Sequence, residues 1–188
     1  MLTRILKKLI GNRPVDPRSG RFVAVIECVL NQNIRDEGAA CSPAMNFQFL
    51  QCCHQHDVGV LQMPCPEVYA LGFDRKRDAG QTLRAALEKE SSAKRCLDLA
   101  VETAHHIENY LNRGYELIAI VGGNPKSPGC AVHHGPDELR PESGVFIKLL
   151  QQELRRRGHD PVFLPMRDYD QALHQCDLDA FEKLLRKE

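Results

Sequence analysis

Two rhythms of apolar and polar positions run along the chain. Short apolar runs at 22–26, 58–63, 116–121 and 161–164 have the length of strands. The first, Phe22-Val23-Ala24-Val25-Ile26, is unbroken and β-branched, as in a strand buried on both faces. The longer segments carry apolar residues at helical spacing. Residues 43–56 put Met45, Phe49 and Cys52 on a shared face, and 91–113 repeat Cys96, Leu97, Ala100, Ala104, Ile107 and Leu111, with Gly114 placed to cap the end. Helices are also predicted at 143–157, closed by Gly158, and at 169–186. The connections are polar: a loop from Glu27-Cys28 through Gly38, a charged loop at 73–81 and another at 125–142. Pro64-Cys65-Pro66 stops strand and helix alike and predicts a rigid turn.

Strands alternating with helices predict an α/β fold. The expected architecture is a single-domain, three-layer α/β/α sandwich around a mostly parallel sheet of four or five strands, Rossmann- or flavodoxin-like, with right-handed crossovers. That domain is expected over residues 21–188. Ahead of it, Leu2, Ile5, Leu6, Leu9 and Ile10 fall at helical spacing with Arg4, Lys7 and Lys8 between them. Residues 1–20 are therefore expected to form an amphipathic helix, packed on the body or lying on a membrane surface, followed by a linker marked by Pro14, Pro17 and Gly20.

Composition narrows the function. A chain of 188 residues with 43% hydrophobic and 27% charged types suits one globular domain. Its 25 Lys and Arg match 25 Asp and Glu, so it lacks the basic field of a nucleic-acid binder, and no nucleic-acid partner is expected. No apolar run approaches the ~20 residues that a spanning helix needs, so no membrane span is expected. The opening MLTRILKKLIGNR has neither a continuous apolar core nor a small-residue cleavage site. A reducing, cytoplasmic setting follows as an expectation, in which cysteines more often serve metals or catalysis than disulfides.

Eight cysteines then matter by their placing, at 28, 41, 52, 53, 65, 96, 130 and 176. Cys28 closes the first predicted strand, Cys65 follows the second, and Cys130 lies in the loop after the third. Open parallel sheets bind ligands outside the carboxyl ends of their strands, so these three thiols are expected to converge there. Converging thiolates suit zinc or an iron–sulfur cluster. Packing of all three as small buried hydrophobes is the alternative. Three cysteines would leave one iron of a four-iron cluster open to a substrate atom.

The segments Cys28-Val29-Leu30-Asn31, Met63-Pro64-Cys65-Pro66-Glu67 and Lys126-Ser127-Pro128-Gly129-Cys130 resemble, in this order, the three signature blocks of the thiouracil desulfidase family, its desulfidase-related branch included. The resemblance spans about residues 21–164. It implies a 4Fe–4S cluster held by Cys28, Cys65 and Cys130, loaded by cluster-assembly machinery. The implied substrate is a small thiolated compound such as 2-thiouracil, whose sulfur the open iron takes. Glu67 maps to the family's acidic CPE residue and Ser127 to the serine opening SPxC, which implies catalytic roles for both. In such a site the iron polarises the thiocarbonyl, Glu67 moves protons, and Ser127 orients water or the substrate ring. Glu67 could instead be a helix N-terminal carboxylate, and Ser127 a turn former.

The chain also departs from the family. Asn31 to Gly38 stand where a glycine-containing run and a tyrosine–aspartate pair are usual, and Gly129 and Ala131 replace the usual serine and glycine around the last cysteine. A non-enzymatic module holding zinc or a cluster on the same cysteines is the rival function. Other tempting residues carry less. Cys52-Cys53-His54-Gln55-His56 resembles a metal tract, but adjacent helical cysteines point ~100° apart. His105-His106 is expected at the surface, His133-His134 near the pocket, and Arg155-Arg156-Arg157 at a solvated helix end. Gly122-Gly123-Asn124 does not match a dinucleotide loop, although Asn124 is placed to reach the cavity mouth. Cys41, also followed by Ser-Pro, is a candidate fourth ligand.

Overall fold

The computed structural model describes residues 16–136 and 138–186. The amphipathic pattern at the amino terminus, and most of its linker, lie outside those residues. Four strands, β1 (Arg21–Ile26), β2 (Gly59–Met63), β3 (Glu116–Val121) and β4 (Phe163–Leu164), form one sheet in the order β2-β1-β3-β4. All neighbours are parallel. The α/β sandwich expected from the alternating pattern is therefore what forms, with the smaller of the two expected strand numbers.

The helices are α1 (Glu27–Leu30), α2 (Phe47–Gln55), α3 (Pro66–Leu71), α4 (Leu83–Leu87), α5 (Glu90–Leu111), α6 (Val145–Arg156) and α7 (Gln171–Arg186). β1 lies between two neighbours and buries Phe22 to Ile26 almost completely, which is why its apolar run has no polar interruption. β2 is an edge strand and exposes Gly59 and Val60. On one face α2 and α7 pack through the Phe49 and Phe181 rings, 5.0 Å apart. α5 and α6 pack on each other, and Ile107, Ile147, Leu150 and Leu154 join the strands in the main core.

Several sequence expectations need correction. Residues 43–46 precede α2 instead of opening it: Asn46 caps the helix by accepting from the Phe49 N–H, and Met45 is exposed. The buried face of α2 is Phe49 and Cys53, with Cys52 at its margin. On α5, Leu97 faces solvent while Leu99 and Thr103 are buried. Three short helices have no counterpart in the pattern: α1 falls in the predicted loop, α3 begins at the predicted Pro64–Pro66 turn, and α4 lies between the predicted 73–81 loop and the 91–113 helix. Each has six residues or fewer, too few for a helical period to show. Gly114 does terminate α5's connection in a left-handed conformation, at φ 79°. Among the described residues no helix is long and apolar enough to cross a membrane.

Candidate functional site

Cys28, Cys65 and Cys130 line one cavity of about 220 Å³ at the carboxyl edge of the sheet, and Glu67 and Ser127 line it too. The topology explains the meeting. Strand order reverses direction around β1, so the segments after β1, β2 and β3 face a common crevice. The ends are then tied together. Glu27, at the start of α1, accepts the Cys65 backbone N–H on Oε2 at 2.9 Å, joining the end of β1 to the end of β2. Pro66 occupies the first turn of α3 and fixes Cys65 in extended backbone just ahead of it.

The loop after β3 folds back in two turns. The Ser127 N–H donates to Asn124 O at 2.9 Å and the Ala131 N–H to Ser127 O at 3.1 Å, which returns Cys130 beneath the strand end. The Gly123 N–H donates to Cys130 O at 2.8 Å. A Cβ at Gly123 would stand 2.6 Å from the Cys130 sulfur, so the glycine is required by close approach and not by a nucleotide. The start of α6 holds the loop from the other side, through Val145 N–H to Pro128 O and Phe146 N–H to Gly129 O.

Each of the three sulfurs meets a donor. Burial pushes the Cys28 thiol up to about 11, opposed by the charge and hydrogen bond of Arg35. Burial likewise raises Cys65, opposed by backbone N–H groups of Val68 and Glu67 and by the charge of Arg75. Burial drives Cys130 well up, the charges of Cys28, Glu67 and Cys65 add to it, and the Ser127 hydroxyl opposes them. Burial thus favours the thiol form of all three, and taking up a metal would release their protons. With one, the groups that oppose the rise at each sulfur would favour its thiolate form.

Glu67 is buried, and both its oxygens are engaged. Oε2 accepts from Arg75 Nε at 3.0 Å, and Oε1 accepts the Gly129 N–H at 3.4 Å. Arg75 is itself 4% exposed and also donates to Ile34 O at 2.7 Å and pairs with Asp36. Its backbone is left-handed, at φ 46°, a conformation that costs a non-glycine residue about 1 kcal/mol and that these contacts hold in place. Glu67 lines the cavity and stands in the first turn of α3, the helix N-terminal position weighed for it.

The charged 73–81 stretch gave no sign of a buried arginine, and sequence reasoning missed a second one. Arg35 and Asp168 form an ion pair with side chains 7% and 6% exposed, Nη2 lying 2.7 and 2.9 Å from the two carboxylate oxygens. The same Nη2 lies 3.8 Å from the Cys28 sulfur. Asp168, from the segment after β4, also accepts from Gln32 Nε2 at 3.2 Å and Asn124 Nδ2 at 3.1 Å. Asn124 lines the cavity as expected and leaves Oδ1 buried with no protein partner. An unpaired arginine near a cysteine is the signal that could have been followed, but nothing local to 168 pairs it with 35.

A larger basin of about 820 Å³ adjoins the cavity and shares Leu83, Lys126, Ser127 and Pro128 with it. His133 lines this basin, with Nε2 3.0 Å from Pro125 O, whereas His134 is exposed and lines neither space. His105 and His106 are exposed, as expected. Cys41 is exposed beside Arg35 Nη1, at 2.9 Å, and does not line the cavity. The Cys52 to His56 tract divides: Cys53 enters the core, His54 faces solvent, and His56 turns to Cys52 O and Glu182. The arginine run divides too, since Arg157 is half-buried and joins Glu153 to Glu108 of α5.

Among the described residues no three His, Cys, Asp or Glu side chains are gathered closely enough to hold one metal ion. The three cysteines instead line a cavity of about 220 Å³, which is larger than a single ion. That donor set and the hydrogen bonds at each sulfur fit a thiolate-held cluster. Comparison with protein-family models, curated proteins and solved structures returned no match for this chain.

Proposed function

We propose that the chain is an iron–sulfur-dependent desulfidase that removes sulfur from a small thiolated compound of the thiouracil type. The observation that carries this reading is the shared cavity of Cys28, Cys65, Cys130, Glu67 and Ser127, five residues from three segments far apart in the chain. The three cysteines would hold a 4Fe–4S cluster. When bound, it supplies a soft Lewis acid for the departing sulfur.

The chain's own residues supply the rest. Water adds its oxygen to the thiocarbonyl carbon while Glu67 accepts a proton; Arg75 and the Gly129 N–H keep that carboxylate facing the reacting centre. As the carbon–sulfur bond breaks, the sulfur leaves with the bonding pair and the protons return to it as hydrogen sulfide. The product carries C=O in place of C=S, with no net oxidation. Ser127, at the junction of cavity and basin, orients the ring or the water. The buried Asn124 Oδ1 is an unsatisfied acceptor at the same wall. On this reading the protein works in a reducing compartment, the cytoplasm, and depends on cluster-assembly machinery.

Anaerobic reconstitution tests the proposal. The expected result is brown protein with about four irons and four sulfides per chain, and sulfide release from 2-thiouracil. Colourless protein carrying one zinc and no sulfide would replace the enzyme with a metal-binding module. Loaded protein that releases no sulfide from any thiolated pyrimidine would make it a carrier.

A further inference from the structure

The three sulfurs are not equivalent. Of the three, Cys28 has a guanidinium on its sulfur, Arg35 Nη2 at 3.8 Å, whereas the groups that oppose the rise of Cys130 and, first among its causes, of Cys65 are a neutral hydroxyl and a backbone N–H. We propose that Arg35, locked by Asp168, is a positioning residue that holds an N–H···S bond and a fixed positive charge on the Cys28 sulfur, and thereby sets the reduction potential of the cluster held there. This rests on the cluster reading above.

The lock is built from three segments. Arg35 Nη2 lies between the Asp168 carboxylate and Cys28, and Nη1 donates to Ala39 O at 3.2 Å. Gln32 Nε2 reaches both Asp168 and the Cys28 carbonyl, at 3.2 and 2.8 Å. Asn124 holds Asp168 from the end of β3. The guanidinium therefore cannot turn from the sulfur without breaking its contacts to the segments after β1 and β4, and Asp168 is itself held from the end of β3. A planar fork can serve carboxylate and sulfur together; a lysine ammonium, a compact point charge, cannot reproduce that geometry. Hydrogen bonds to cluster sulfurs and net local charge both tune potential, and positive charge favours the reduced, more negative cluster. If the pair merely fastened loops, its removal would change stability and leave the potential alone.

The test compares wild type, Arg35→Met and Arg35→Lys after anaerobic reconstitution, by EPR-monitored redox titration and by the g-values of the reduced cluster. Arg35→Met is expected to shift the reduction equilibrium at least tenfold toward the oxidised form, a potential lower by about 59 mV for one electron. Arg35→Lys is expected to shift it less and to change the g-values. A potential and g-values equal to wild type in Arg35→Met would overturn the proposal. Where Arg35→Met does not fold, Arg35→Lys decides: g-values and potential identical to wild type overturn it, and changed values at an unchanged melting temperature support it. Wild-type protein that takes up no cluster would instead defeat the desulfidase reading itself, a distinguishable outcome.

Discussion

Cys53 and Cys96 lie as deep in the helical layers as Cys65 and Cys130 lie at the sheet's edge, yet their surroundings differ in kind. Burial pushes Cys53 up to about 12 and Cys96 to about 11, and nearby negative charge from Cys52 and Glu67 adds to each. Among the described residues no hydroxyl, guanidinium or neighbouring residue's N–H opposes that rise on either sulfur. Cys96 packs with Ala70, Leu87 and Val145 as any small apolar side chain would. At the edge, by contrast, each sulfur has its own donor, and those donors are fixed by further hydrogen bonds. Depth of burial does not separate the two groups. What separates them is whether the protein has prepared for a negative sulfur.

The sharpest way to break that contrast is to remove one cysteine from each region. Cys130→Ser is expected to abolish cluster retention and sulfide release, measured by iron analysis and a sulfide assay after reconstitution. Cys96→Ala should keep both and lose about 1 kcal/mol of stability in denaturant melts, the cost of a small buried void. Equal cluster loss in the two variants would erase the distinction.

Glu67→Gln comes next, because it keeps the shape of the site while removing a base. Cluster content should stay near wild type while sulfide release from 2-thiouracil falls about 100-fold or more, the usual weight of a general base. A variant with unchanged turnover would leave Glu67 as no more than the partner of Arg75.

Gly123→Ala probes the approach of the Cys130 loop to β3. The added methyl group meets the sulfur at 2.6 Å, so the loop must move, at a cost of about 1–3 kcal/mol, and cluster occupancy should drop. Gly158→Ala, at a left-handed turn with no atom near its Cβ, is the control: stability should change and occupancy should not.

The smallest effect concerns the helical layers alone. Arg156 and Arg157 hold the Glu153 carboxyl at about 2, below its unfolded value near 4.3. Its contribution to stability is therefore complete above pH ~4.3 and drains away as pH falls toward 2. Glu153→Gln should lose about 1 kcal/mol near pH 6 and show a flatter acid limb than wild type in thermal melts. Cluster retention at pH 7 should not change.

Much of this frame was legible in the chain. The unbroken run 22–26 and the runs at 58–63 and 116–121 are short, apolar and flanked by turn residues, and a parallel sheet follows from their alternation with helices. Because a parallel sheet sends its strand ends to one edge, the meeting of Cys28, Cys65 and Cys130 was legible as well. The buried ion pairs were not. Arg35 finds Asp168 across most of the sequence, and Arg75 is a charged residue in a charged loop whose burial depends on Glu67 and Ile34 being brought to it. Residue type and spacing carry no trace of such long-range partners. Helices of one or two turns fail for another reason: α1 and α3 are set by the strand ends and Pro66 that precede them, not by any periodic face of their own.

The anchoring of the Cys130 loop on α6 bears on the order in which the molecule is made. Pro128, Gly129 and Ala131 give their carbonyls to the N–H groups of Val145, Phe146 and Gly144, so the third wall of the crevice is not in place until that helix has left the ribosome. A nascent chain already displaying Cys28 and Cys65 has two thiols and nowhere to enclose a cargo. Delivery of iron and sulfide belongs to the finished polypeptide, and a product of premature termination before α6 would carry the ligands without the vessel.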